Sequence, residues 1–277
     1  MPLLKLADGT LYYELTGQGP PVLWIQGTGV CGSAWEPQIK ELSHDFQCLG
    51  FDNRGIGRSV DNGPSLSIEQ MARDAIALMD AAGWESAHLV GHSMGGLIAQ
   101  QVALEAPSRV RSLGLLCTFA KGPEAARLTG KVLLMGLRTR IGTRAMKRQA
   151  FLEMLFPAEY LQSQNSAELA ARVGPMIGRD LADSPPIMMK QLSAMRKYDA
   201  AGKLGQLSSI PTLVASAHSD PIALTSYGEG LAGRIQGSRY LELPHSSHGV
   251  TIQLPDLINE LLRTHFVQAD SGSRSRR

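Results

Sequence analysis

The stretch Ala87-His88-Leu89-Val90-Gly91-His92-Ser93-Met94-Gly95-Gly96, continuing into Leu97 to Ala106, decides how the chain is read. Ala87 to Val90 is a short apolar run of strand character, and Leu97 to Ala106 has the pattern of a helix. A sharp turn must carry the backbone from one to the other, with Ser93 at its apex. Gly91 and Gly95 flank the serine where side chains would collide with neighbouring backbone, and Ser93 is expected in a strained conformation. Gly-x-Ser-x-Gly between a strand and a helix presents a hydroxyl for nucleophilic attack. The spacing alone would mark only a tight turn; the strand, the helix and the further Gly96 give it weight.

Outward from this stretch, Leu11 to Leu15, Val22 to Ile25, Phe46 to Phe51, Val110 to Cys117, Thr212 to Ala217 and Arg239 to Leu243 read as strands. Several are too uniformly apolar to be half exposed, which predicts a mostly parallel sheet covered on both faces. Helical patterns over Ala34 to Leu42, Ser67 to Ala82 and Leu254 to Phe266 lie between or after them, with Ser67 and Gln70 spaced as a capping box. The class is α/β. The alternation stops between about Ala120 and Leu204, where the pattern is helical and broken by Pro157, Pro175 and Pro185-Pro186. The predicted organisation is a core of residues 1–119 and 205–270, a helical cap inserted at 120–204, and a disordered basic tail at 271–277.

A serine hydroxyl needs a histidine within hydrogen-bond reach and a carboxylate that fixes the histidine's tautomer, expected here in the order Ser, acid, His. Asp220 follows the strand Thr212 to Ala217 in His218-Ser219-Asp220-Pro221. His248 follows the strand Arg239 to Leu243 in Pro244-His245-Ser246-Ser247-His248-Gly249. His245 competes for the base role but sits closer to the strand end, so His248 is preferred. An acid after the strand that follows the nucleophile helix is the other option, and Cys117-Thr118-Phe119 offers none. Backbone donors for a developing oxyanion are expected at Met94, the residue after the serine, and in Gln26-Gly27-Thr28-Gly29, at Thr28.

With these motifs in view, the chain resembles the α/β-hydrolase superfamily from Leu11 to about Phe266, and within it the capped esterase, enol-lactonase and epoxide-hydrolase-like branch. Asp52-Asn53-Arg54-Gly55-Ile56-Gly57-Arg58-Ser59 is similar to that superfamily's Asp-x-Arg-Gly-x-Gly-x-Ser segment and reads as structural. The resemblance implies nucleophile Ser93, acid Asp220, base His248 and oxyanion donors Thr28 and Met94. Gln26-Gly27 stands where many members have His-Gly, which leaves a backbone oxyanion hole intact. Ser93 argues against the epoxide hydrolases and haloalkane dehalogenases of the branch, which place an aspartate there.

The implied activity is hydrolysis of a moderately hydrophobic carboxylic ester through an acyl-enzyme, with no metal or organic cofactor. A lactonase, thioesterase or C–C bond hydrolase would use the same triad, peroxide-dependent perhydrolase or haloperoxidase chemistry is a side reaction, and a ligand-binding receptor is the non-enzyme alternative. With 43% apolar and 19% charged residues and a net charge of +2, the chain can bury a full core and gives no ground for a nucleic-acid partner. Between Lys121 and Lys203, fourteen basic residues face seven acidic ones. The densest part, Arg138, Arg140, Arg144, Lys147 and Arg148, suits either a solvated face or the phosphates of a carrier-bound acyl group or an anionic surface. Seven of eleven methionines (Met135, Met146, Met154, Met176, Met188, Met189 and Met195) and apolar residues such as Leu133, Leu134, Leu137, Phe151, Leu152, Leu155 and Phe156 also fall there, as helix core or pocket wall. Three cysteines in no metal or redox spacing, no secretory leader and no run of about 18 apolar residues predict a cytoplasmic protein without stable membrane insertion. Oligomeric state is left open.

Overall fold

The computed structural model describes residues 2–125, 134 and 136–274. The strands are β1 Leu3–Leu6, β2 Gly9–Thr16, β3 Pro21–Ile25, β4 Gln47–Phe51, β5 Val60–Asp61, β6 Ala87–His92, β7 Val110–Leu116, β8 Thr212–Ala217 and β9 Arg239–Leu243. Among the described residues they form one sheet in the order β1-β2-β4-β3-β6-β7-β8-β9, with β5 beside β2. β1 and β2 are antiparallel to their neighbours, and every pair from β4 across to β9 is parallel. β6 and β8 are buried along their whole length, so that His88, His92, Thr212 and Ser216 lie inside with the apolar residues of these strands. β9 is an edge strand in which only Leu243 is buried.

The strand order reverses at β3. From it the chain goes first to β4 on one side and later to β6 on the other, with Ile25 in register with Gly91. The carboxyl ends of β3 and β6 thus flank a topological switch point, where a doubly wound sheet opens a crevice.

Helices α1 (Glu36–Leu42), α2 (Ile68–Ala81) and α3 (Met94–Glu105) follow β3, β5 and β6. α2 packs on α3, while α1 packs on the last helix, Pro255–Arg274. That helix places Phe266 against Trp24, Phe46 and His88. Ser67 caps α2 by accepting from the Gln70 N–H at 3.1 Å, but the Gln70 side chain turns to Asp74, so only half of the expected capping box forms.

Several boundaries differ from expectation. β1 and β5 are too short to be read alone and exist by pairing with β2. Ala34 to Leu42 divides into a 3₁₀ turn at Gly32–Trp35 and α1. The last helix runs through Arg274, so the expected disordered tail does not begin at Ser271; adding residues to an existing helix needs no new nucleus. Positions 275–277 lie outside the described residues, as do Leu133 and Met135. Between β7 and β8 the named elements are all helices, including Arg144–Leu155, Ser166–Ile177 and Met188–Lys197. Leu152, Leu155, Phe156, Leu169, Val173, Ile177 and Leu181 form a hydrophobic cluster separate from the main core. Leu134 and Leu137 are exposed. Among the described residues no helix is long and apolar enough to cross a membrane.

Two buried histidines of the core make stability sensitive to acid. His265 donates to the Leu113 carbonyl at 3.0 Å, and burial pushes its pKa down to about 4. Burial also lowers the pKa of His88, which contacts the Ser112 hydroxyl at 2.8 Å. A group depressed in the folded state binds its proton first in the unfolded chain, so its stabilising effect is present above about pH 6.5 and is lost as pH falls toward 4. Urea unfolding is expected to show a decline approaching about 1.4 kcal/mol per pH unit for each such histidine. His265→Gln should flatten the decline, and an unchanged slope in that variant would remove His265 from the explanation.

Candidate active site

Ser93 sits at the β6–α3 turn with φ 54° and ψ −121°, a conformation that L-residues rarely adopt. Its backbone is held on both sides: the Ser93 N–H donates to the Leu116 carbonyl at 3.0 Å, and the Thr118 hydroxyl donates to the Ser93 carbonyl at 2.7 Å. A Cβ on Gly91 would strike the Gly95 carbonyl, and one on Gly95 would strike the Ile25 carbonyl. The two glycines thus allow the turn to close against β3.

Asp220 and His248 are brought together. His248 Nδ1 lies 2.7 Å from Asp220 Oδ2. A carboxylate only accepts, so Nδ1 carries the proton and Nε2 is left with its lone pair. The other carboxylate oxygen accepts the N–H groups of Ile222 at 2.8 Å and Ala223 at 2.9 Å, which fix the acid in place. Ser93, Asp220 and His248 are 6%, 3% and 7% exposed.

His92, the residue before the serine, ties His248 to β6. Its Nε2 donates to the His248 carbonyl at 2.8 Å, and the two rings lie 4.7 Å apart. Burial, with a smaller contribution from neighbouring His248, pushes the His92 pKa down to about 3, so His92 stays neutral beside its partner. His245 is 85% exposed in its side chain and faces Glu159 at 3.6 Å, outside this cluster.

Ligand atoms of His92, Cys117 and His248 lie within 4.8 Å of one another. Two ring nitrogens of this group are committed to hydrogen bonds. Burial, followed by the Asp220 charge, keeps the Cys117 thiol protonated by raising its pKa. The arrangement therefore fits a hydrogen-bonded relay better than a metal centre.

Residues 26–29 lead out of β3 toward Ser93. Gly27 N–H donates to Gln26 Oε1 at 2.8 Å, and Gly29 N–H donates to Gln191 Oε1 at 2.8 Å. Among the described residues the N–H groups of Thr28 and Met94 donate to no protein acceptor. The Thr28 hydroxyl meets Met94 Sδ at 3.5 Å and Met195 Sδ at 3.3 Å, so the loop and the start of α3 are in contact.

The profile described as "alpha/beta hydrolase fold" matches residues 20–253. The chain belongs to the α/β-hydrolase family. Similar to it is a protein of Azorhizobium caulinodans named "Putative carbamate hydrolase RutD", 34% identical over 95% of this chain and 97% of the relative. A hydrolase from Pseudomonas aeruginosa PA01 shares 25% identity with a TM-score of 0.80, over 95% of this chain and 97% of that one. The enol-lactonase of Burkholderia xenovorans LB400 shares 26% identity with a TM-score of 0.77, over 96% and 100%. The chain is thus a hydrolase of this fold.

Beyond the residues marked by the α/β-hydrolase resemblance, the structure adds Arg179 and Gln191, and it gives Asn53 of the 52–59 segment a contact with the loop. Asn53 Nδ2 donates to the Gln26 carbonyl at 3.0 Å, so the 52–59 segment supports the loop as well as the fold. Arg179 donates to the Gly29 carbonyl. Their contacts span long sequence separations, and nothing in the linear pattern distinguishes Gln191 from other glutamines. In the basic stretch, Arg138 pairs with Glu153, Arg144 with Asp180 and Asp183, and Arg148 with Asp180.

Proposed function

We propose that the protein is a serine hydrolase that cleaves a moderately hydrophobic carboxylic ester through an acyl-enzyme. The observation that carries the reading is the buried Asp220–His248 hydrogen bond of 2.7 Å, with His248 tied to the residue preceding a strained, buried Ser93. His248 removes the Ser93 proton as the hydroxyl oxygen bonds to the ester carbonyl carbon. Negative charge develops on the carbonyl oxygen, and the N–H groups of Thr28 and Met94 receive it. Collapse of the tetrahedral adduct breaks the ester C–O bond, and the histidine returns its proton to the departing alkoxide. Water, deprotonated by the same histidine, then releases the acid and regenerates Ser93.

The helices of 120–204 act in this proposal as a cap that shapes the substrate pocket, which the contact of Met195 with Thr28 supports. Intramolecular ion pairs occupy Arg138, Arg144 and Arg148, so the basic stretch gives limited support to a carrier-bound acyl group. Three buried free cysteines accord with a reducing, cytoplasmic location.

A second reading is favoured by the similarity to the relative from A. caulinodans: a carbamate offers an acyl carbonyl to the same nucleophile. Incubation with a fluorophosphonate, peptide mapping of the adduct, and kcat/KM for p-nitrophenyl butyrate, a δ-lactone and a carbamate would decide between them. Labelling at Ser93 and preferred ester turnover are expected. A carbamate preference of tenfold or more would move the assignment to that class, whereas absence of labelling and of all three hydrolyses would overturn both readings.

A further inference from the structure

The peptide groups around Thr28 are pinned from two directions. Upstream, Asn53 donates to the Gln26 carbonyl at 3.0 Å, and the Gly27 N–H donates to the Gln26 side chain at 2.8 Å. Downstream, both polar groups of Gly29 are held: its N–H by Gln191 Oε1 at 2.8 Å, and its carbonyl by the Arg179 guanidinium. The upstream hold comes from the segment after β4 and from the loop's own Gln26, whereas the downstream hold comes entirely from the helical insertion. Between them lies the Gly27–Thr28 peptide, whose N–H donates to no protein acceptor among the described residues.

Gln191 and Met195 stand four residues apart on the helix Met188–Lys197, hence on one face. Gln191 meets Gly29 and Met195 meets Thr28. Lys190 anchors the same helix to the main body through Asp61 at 2.9 Å and the Gly63 carbonyl at 2.9 Å. The Gln191 side chain is fully buried, and its Nε2 has no partner. Turning the amide over would set that nitrogen against the Gly29 N–H, donor against donor, so the orphan belongs to Nε2. A buried amide with an unsatisfied donor is unfavourable for folding, and an apolar side chain of similar size would avoid it. What distinguishes glutamine here is its acceptor on Gly29.

We infer that Gln191, with Arg179 on the opposite side of Gly29, is a positioning residue that sets the direction of the Thr28 N–H toward the developing oxyanion. The inference rests on the serine-hydrolase reading and assigns the insertion a part in rate as well as in substrate selection. Neither residue touches the reacting atoms. They act through the loop, and displacement of a donor by a fraction of an ångström weakens stabilisation of the transition state more than binding of the ground state.

The test uses the full chain as wild type, Gln191→Leu, Gln191→Glu, Arg179→Met and Ser93→Ala, with p-nitrophenyl butyrate as substrate. A trifluoromethyl ketone serves as a tetrahedral-adduct inhibitor, and a fluorophosphonate reports Ser93 reactivity. Gln191→Leu is expected to lower kcat about 10- to 100-fold with KM changed less than about threefold, and to weaken the ketone by the same factor as kcat. Gln191→Glu keeps an acceptor on the Gly29 N–H and is expected to retain kcat within about fivefold. Melting temperatures should differ little, because the leucine variant exchanges one orphaned group for another.

Wild-type kcat in Gln191→Leu, a loss confined to KM, or equal impairment by leucine and glutamate would overturn the positioning role. If Gln191→Leu does not fold, Arg179→Met carries the same kcat prediction, and wild-type kcat in it would overturn the clamp. If the ester is not a substrate, the fluorophosphonate labelling rate is the readout, expected to fall by the same factor. Ester hydrolysis that persists in Ser93→Ala would refute the underlying reading, whereas Ser93-dependent hydrolysis with unaffected clamp variants would refute the clamp alone.

Discussion

Ser93→Ala is expected to lower kcat on p-nitrophenyl butyrate by at least about 10⁴-fold while leaving the protein folded. Alanine brings no bulk that serine lacks, and the strain of φ 54° is common to both residues. The bonds that hold the turn, from the Ser93 N–H to Leu116 and from the Thr118 hydroxyl to the Ser93 carbonyl, involve backbone atoms of residue 93 and survive the change. Only the hydroxyl oxygen, the nucleophile of the proposed mechanism, disappears. Whatever slow hydrolysis remains should come from water attacking a substrate polarised by the backbone donors. His248→Ala should cost nearly as much, and the double variant little more, because the groups act as one unit. Circular dichroism with initial rates would check this, and activity equal to wild type in a folded Ser93→Ala protein would remove Ser93 from the mechanism.

Arg54→Ala is expected to cost stability rather than chemistry, by about 3–5 kcal/mol. The guanidinium is 2% exposed and bonds Asp74 through two nitrogens, at 2.5 and 2.9 Å, and Asp8 at 2.7 Å. Its removal leaves the Asp74 carboxylate buried beside no cation, and an uncompensated charge in the interior is the larger part of the penalty. The melting temperature should fall by roughly 6–20 °C for a chain of this size. Arg54→Met combined with Asp74→Leu should recover most of the loss, since the charge and its partner leave together. If the single and double replacements melt alike, the pair is not what holds α2 against the segment after β4.

The elements legible in the sequence are those whose burial is complete. β6 and β8 are covered on every residue and carry no Lys, Arg, Asp or Glu, and the glycines around Ser93 announce a turn only glycine can close. The order Ser93, Asp220, His248 is a property of the chain path and is therefore written in the sequence. Boundaries were harder to read where tertiary pairing decides them. β1 owes its existence to β2, and the last helix continues through Ser271 and Gly272 against their weak helix propensity. The basic stretch appeared as a block of positive charge because its carboxylate partners, Glu153, Asp180 and Asp183, come later in the chain. Gln191 escaped for the same reason, since its role is a contact with Gly29, 162 residues away.

The double hold on Gly29 bears on how such a protein can diversify. An insertion that contacted only the substrate could be exchanged between relatives as a module, with new specificity arriving at undiminished turnover. Here a transplanted insertion brings its own partner for the Gly29 N–H, or none. Recombination at the two ends of the insertion would therefore yield mostly slow hybrids, and rate would be regained through compensating changes at 26–29 or at the positions equivalent to Arg179 and Gln191.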